Sequence, residues 1–225
     1  METFLLLNRW LHIAAGFTGF FVAPVALAVR KGGAAHRAWG RVFFYAMLTA
    51  GTTALVSASL NSLTFLLLTG IFSLYLAGFG YRSLYHKRLA QGLEKPALGD
   101  WLMAVAGLSI FLGTLLYGLL HYQTNPVPIV FGAIGMMTTG RQLWGFRRVG
   151  PWPAGQWLRN HMSGFVGSYI TAVSAFSATS LHFIPFPINF LWPMAVLVPV
   201  LLWMQRRYGR QAGQLEVRIQ AAPGS

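Results

Sequence analysis

Apolar runs of roughly 20 residues, cut apart by gaps that are either short and neutral or long and basic, constrain this chain more than any motif does. Crossing about 30 Å of hydrocarbon takes about 20 apolar residues of helix. Seven such runs fall at roughly 4–29, 42–61, 63–82, 100–121, 126–146, 157–183 and 188–205. Lipid offers the backbone no hydrogen-bond partner, so runs of this length must close their own hydrogen bonds as helices. The expected fold is therefore all-α, a polytopic transmembrane helical bundle of about seven spans. Residues 1–205 form a single membrane domain and 206–225 a basic cytoplasmic tail.

The charges orient these spans. The connections at 61–62, 122–126 and 184–188 carry no Lys or Arg, whereas 30–41, 82–99 and 147–159 are basic, as is the tail with Arg206, Arg207, Arg210 and Arg218. All of the 17 basic residues except Arg9 fall on the face of the longer loops. The positive-inside rule then puts the N-terminus outside and the C-terminus in the cytoplasm, as in a multi-pass protein of a bacterial inner membrane. Ala26-Leu27-Ala28 looks like a signal-cleavage site, but no basic leader precedes it, and the segment reads as an uncleaved first span. A net charge of +13 would suggest nucleic acid in a soluble chain. Here the cations sit in gaps between spans, so the expected partner is the lipid bilayer and not nucleic acid.

Composition removes several chemistries. The chain contains no cysteine, which excludes disulfides, thiolate metal sites and cysteine nucleophiles. Its acids are Glu2, Glu94, Asp100 and Glu216, each at a terminus or in or beside a polar loop. Proton-coupled transport and carboxylate-dependent hydrolysis ordinarily use an acid inside the bilayer, and both are disfavoured.

The six histidines divide by depth. His12, His121 and His182 belong to the outer half, and His36, His86 and His161 to the inner half. His86, in Tyr85-His86-Lys87-Arg88, reads as an interfacial polar residue. Asn8, His12, Gly16, Gly19 and Ala23 recur at helical spacing. That stripe is either a tight helix interface with one hydrogen-bonded imidazole, or a ligand histidine with glycines clearing space for a flat cofactor. In the sixth span His161, Gly164, Ser168, Thr171 and Ala175 pose the same choice, flanked by Arg159 and Asn160. Arg141 either snorkels to the cytoplasm or lines a site for an anion or a carbonyl. Arg30, Lys31, Arg37 and Arg41 are first of all orientation signals. The spacing His36-Arg37-x-x-Gly40-Arg41 suggests a further task, with Arg37 and Arg41 on one helical face expected to meet Arg159 and His161.

Two segments, HIAAGFTGFFVAPVALAVRKGGAAHRAWGRVFFYAML (12–48) and RNHMSGFVGSYITAVSAF (159–176), resemble the bacterial membrane proteins of the domain of unknown function 2306 family. The matching positions are His12, Pro24, the run from His36 to Arg41, His161 and Ser168-Tyr169-Ile170. Thr171 to Phe176 only approximates the family pattern, and Ser180 stands where an Asn is expected. The resemblance implies a polytopic inner-membrane protein and supplies no activity.

Three functions fit these residues. A b-type haem or quinone-linked redox protein would use His12 with His121, or His36 with His161, and Arg37, Arg41, Arg141 and Arg159 for propionates or a quinone carbonyl. A zinc or copper site would use His12, His121 and His182. The third is a non-enzymatic protein that binds or carries a lipid or small apolar ligand, or serves as a membrane partner subunit.

Overall fold

The computed structural model describes residues 2–123, 127–181 and 183–214. All regular structure among them is helical. The order is α1 (Glu2–Ala28), α2 (Ala34–Leu60), α3 (Thr64–Arg82), a 3-10 turn (Ser83–Tyr85), α4 (Lys87–Ala90), α5 (Leu98–Leu120), α6 (Val127–Arg147), α7 (Gln156–Ser180) and α8 (Phe186–Met204). A π-turn (Gln205–Gly209) follows, and helix continues to 214, so Arg206, Arg207 and Arg210 lie on helical structure.

Among the described residues, five helical stretches are long and apolar enough to cross a membrane: Glu2–Ala28, Ala34–Leu60, Thr64–Tyr85, Leu98–Leu120 and Ile188–Gln214. The chain is thus an all-α, multi-pass helical membrane protein. Helices α6 and α7 have the length but are less apolar: α6 carries Thr138, Thr139, Arg141 and Gln142, and α7 is dense in hydroxyls.

The chain forms two compact units. Unit one comprises residues 1–81 and 163–201, hence α1, α2, nearly all of α3, the later part of α7 and nearly all of α8. Its core gathers Val22, Ala23, Phe43, Met47, Tyr169 and Val173. α1 and α2 pair as an antiparallel hairpin. Gly32, at φ +73°, makes the left-handed step between them. The stripe on α1 faces α2: Asn8 Nδ2 donates to Thr53 O at 3.0 Å and to Ser57 Oγ at 2.8 Å. A Cβ on Gly19 would sit 3.2 Å from Met47 Sδ. Such interhelical hydrogen bonds add only about 0.6 kcal/mol each in lipid. Their larger effect is to fix the register, because an unmet polar group there has no water to turn to.

α3 and α7 approach more closely still. Ser168 Oγ donates to Ser73 O at 3.0 Å, and the two hydroxyl oxygens lie 3.1 Å apart. A Cβ on Gly164 would land on the backbone of Gly80. Close approach of this kind is what small residues in membrane helices allow. Near the far end of α7, Ser177 Oγ donates to Asn189 Oδ1, Asn189 Nδ2 donates to Leu181 O at 2.8 Å, and Trp192 Nε1 donates to Ser177 Oγ at 2.9 Å.

Unit two comprises residues 82–162 and 202–225. α5 and α6 pack through glycine: a Cβ on Gly118 would lie 2.6 Å from Ile129 N, and one on Gly132 would lie 2.6 Å from Leu115 Cα. At the other end of this pair Leu89, Ala104 and Phe146 form a small core with Trp101, Leu143 and Trp152 against it. Phe146 and Trp152 of that core also stand against the ring of His86.

Candidate functional site

The site is centred on the one aspartate in the chain. Asp100 is in the first turn of α5, where a carboxylate is favoured by the unpaired amides and the helix dipole. Its Oδ2 accepts the Ala97 N–H at 2.9 Å, which closes the start of the helix. From the last residue of α3, Arg82 grips the same carboxylate with both faces of its fork: Nε donates to Oδ1 at 2.6 Å and Nη2 to Oδ2 at 3.2 Å. Such bidentate pairing is the strongest use of a guanidinium. His86, in the turn after α3, donates from Nε2 to Oδ1 at 3.0 Å.

Asp100 is 2% exposed and His86 3%, while the Arg82 side chain is 39% exposed. The ion pair is therefore buried on its acid side and open to screening on its basic side. The His86 ring stands edge-on to Phe146 at 5.7 Å and to Trp152 at 5.9 Å. Burial among these rings lowers the His86 pKa below its ordinary value; the bond to Asp100 pulls the other way without prevailing. Arg82 already balances the Asp100 charge, so a neutral imidazole donating one N–H completes the set. With four donors on its two oxygens, the carboxylate has its acceptor sites filled. The cluster can hold the end of α3, the 83–90 segment and the start of α5 in one geometry. In this state the carboxylate has no lone pair spare for a proton or a metal.

In unit one, His12 Nδ1 donates to Ala50 O at 2.9 Å, with Thr53 Oγ1 at 3.2 Å. His36 lies in the first turn of α2 rather than in a loop, and its Nδ1 donates to Ala26 O at 2.9 Å. Helix formation from Ala34 onward also puts Arg37 and Arg41 on α2, both exposed; Arg37 Nη1 donates to Gly32 O at 2.6 Å. The bonds to His12 and His36 run from positions separated by most of α1. Fourteen residues at 1.5 Å each put about 21 Å between them along that axis, so these two imidazoles do not share a ligand.

In unit two, His121 caps the end of α5, with Nδ1 donating to Tyr117 O at 2.9 Å and its ring stacked on Tyr117 at 4.4 Å. Arg141 is exposed on α6, and His161 is half-buried near the start of α7. Arg159 donates to Gln156 Oε1 from Nε at 3.3 Å and from Nη2 at 3.2 Å. His182 lies outside the described residues. Among the described residues no group of three His, Asp or Glu side chains could hold a metal ion.

Sequence reasoning passed over Arg82, His86 and Asp100 as a set. The one available signal was that the sole aspartate lies three residues after Ala97, in the first turn of an apolar helix, which is where a capping carboxylate belongs. That the 18-residue return from Arg82 brings them together is a property of the folded connection, not of spacing.

Comparison with family models, with curated proteins and with solved structures finds no match to this chain.

Proposed function

We propose that this is a non-enzymatic protein of a bacterial inner membrane, spanning it seven times with the N-terminus outside and the C-terminus in the cytoplasm, whose task is to bind a lipid or another small apolar ligand. The resemblance to the domain of unknown function 2306 family at residues 12–48 and 159–176 accords with that placement. What supports the non-enzymatic reading above all is the saturation of the buried acid. Asp100 is held by Arg82, His86 and the Ala97 amide. Asn8, Ser73, Ser168 and Asn189 are likewise engaged by side chains or carbonyls of neighbouring helices, or by residues close in sequence. Groups committed in this way hold helices together, whereas a carboxylate acting as a general base needs a free acceptor site for the proton it takes.

The redox reading, with haem b or a quinone, keeps one specific observation in its favour. Because His12 gives Nδ1–H to the Ala50 carbonyl, its Nε2 is the nitrogen that would ligate, and an orienting bond of this kind is what metal-bound imidazoles make. The experiment that tests the first reading is mass spectrometry of an organic extract from the detergent-purified protein. Recovery of one lipid or apolar species in near-stoichiometric amount, retained through repeated detergent exchange, is expected. An extract matching the bulk membrane lipids in proportion, and falling away with washing, would overturn it.

A further inference from the structure

In unit two the described acids are Glu94 and Asp100, and both are committed: Glu94 to Arg88, and Asp100 to Arg82 and His86. Arg147 and Arg148 at the end of α6, and Arg206, Arg207 and Arg210 beyond α8, are all exposed and have no carboxylate partner among the described residues. Like charges collected without counter-charge repel one another, so the balance must come from outside the described chain.

These cations are held around one junction rather than strewn along a loop. Trp152 N donates to Ala90 O at 2.8 Å, and its indole Nε1 donates to Gly145 O at 3.0 Å, one turn before Arg148. Gly155, at φ +71°, lets the chain pass directly against the carbonyl of Gly209, and a Cβ on Gly213 would be 3.1 Å from Ala154 Cβ. The end of α6 and the helical stretch 205–214 therefore flank the same connection.

Each group of arginines also carries an exposed indole. Arg148 lies over Trp144 at 5.6 Å, and Arg207 over Trp203 at 5.3 Å and Tyr208 at 5.7 Å. Trp144 is 67% exposed and Trp203 53%. A guanidinium stacked on an indole keeps its N–H edge free, and that edge matches two oxygens of a phosphate. Beside it the indole offers an apolar face at the level where headgroup gives way to acyl chain. A free phosphate would use only the first of these surfaces, while a phospholipid uses both.

We propose that the rim formed by Trp144, Arg147, Arg148, Trp203, Arg207 and Arg210 binds the headgroups of anionic phospholipids. This rests on the lipid-binding reading above and adds the lipid's charge class and the residues that select it. The test is titration of the full-length protein in detergent with phosphatidylglycerol or phosphatidylcholine, read as bound lipids by native mass spectrometry. The wild type should bind phosphatidylglycerol the more tightly, with the preference falling about fivefold for each arginine removed, since each basic side chain near such a surface contributes about 1 kcal/mol. R207Q/R210Q and, independently, R147Q/R148Q should show this, each checked for an unchanged melting temperature because all four side chains are exposed. W144A/W203A should weaken phosphatidylglycerol while leaving its competition by inorganic phosphate weak. Equal affinity for the two lipids would overturn the charge selection and leave general lipid binding standing. Displacement of phosphatidylglycerol by millimolar inorganic phosphate would make the rim a free-anion site instead. Binding of neither lipid would remove the lipid-binding reading and this inference with it.

Discussion

Replacing Asp100 by Asn keeps the size of the side chain and changes one acceptor into a donor. Four donors converge on the native carboxylate: Arg82 Nε and Nη2, His86 Nε2 and the Ala97 amide. Whichever way the Asn amide turns, its NH2 faces two of them. With the oxygen at the Oδ1 position, the unmatched donors are Arg82 Nη2 and the Ala97 N–H, and the loss of the helix-start bond costs about 1 kcal/mol. Stranding a fully buried charge costs about 3–5 kcal/mol, but the Arg82 side chain is 39% exposed. Water screens it, and about 1–2 kcal/mol is the appropriate share. The sum is about 2–3 kcal/mol, which for a chain of this size lowers the melting temperature by about 4–12 °C. The assay is a thermal scan of detergent-purified protein followed by tryptophan fluorescence, run for D100N, R82Q and the double variant. Because R82Q removes the stranded charge, the double variant should be less damaged than the sum of the singles, with a coupling of about 1–2 kcal/mol. A D100N protein that melts within a degree of wild type, or singles that add strictly, would refute the reasoning.

Further consequences can be measured separately. His86 is held below its ordinary pKa of 6.5 by burial, so as pH falls through that value the unfolded chain takes up a proton that the folded chain refuses. The stability contribution is complete above pH 6.5 and declines below it, by at most about 1.4 kcal/mol per pH unit, until the lowered folded value is reached. H86Q should flatten the melting temperature between pH 7 and 5, and parallel curves for variant and wild type would count against a buried neutral imidazole. Gly164→Val should fail to fold or lose at least about 3 kcal/mol, because its Cβ would occupy the space of Gly80; Gly16→Ala, with no atom within 4 Å of the new carbon, should be neutral or gain up to about 1 kcal/mol. Equal melting temperatures for these two variants would contradict the α3–α7 packing. The cysteine-free chain also permits single labels: cysteine beside Arg9 should react with an impermeant reagent from the outside and cysteine beside Arg210 only after permeabilisation; the opposite pattern would reverse the proposed topology, and labelling of both from one side would contradict an odd number of spans.

The helices were legible because their cause is local. Apolar runs long enough to cross hydrocarbon, stopped by Gly32-Gly33, by Asn61-Ser62 or by Pro96, announce themselves in the linear chain. The start of α2 was harder to read, since Arg37 and Arg41 look like loop charges until Ala34 to Arg41 is seen to continue the helix. The stripe of Asn8, His12 and Gly19 was visible as a stripe, but its partner was not, because its match to Ser57, Thr53 and Met47 is a matter of hairpin register. Asp100 was hidden for a different reason. An acid next to a polar loop is usually solvated, and only the return of residues 83–97 converts a surface acid into a buried one held by Arg82 and His86.

In the reading proposed for this protein, Asn8, Ser73, Asp100, Ser168 and Asn189 join its chain segments to one another and no redox cofactor is held among them. The most direct test is the absorption spectrum of the detergent-purified protein, oxidised and dithionite-reduced, after expression with added haem, with metal analysis of the same sample. A featureless visible spectrum in both states and sub-stoichiometric metal are expected. A sharp band on reduction, lost in His12→Ala, would contradict that reading and make that imidazole a haem ligand.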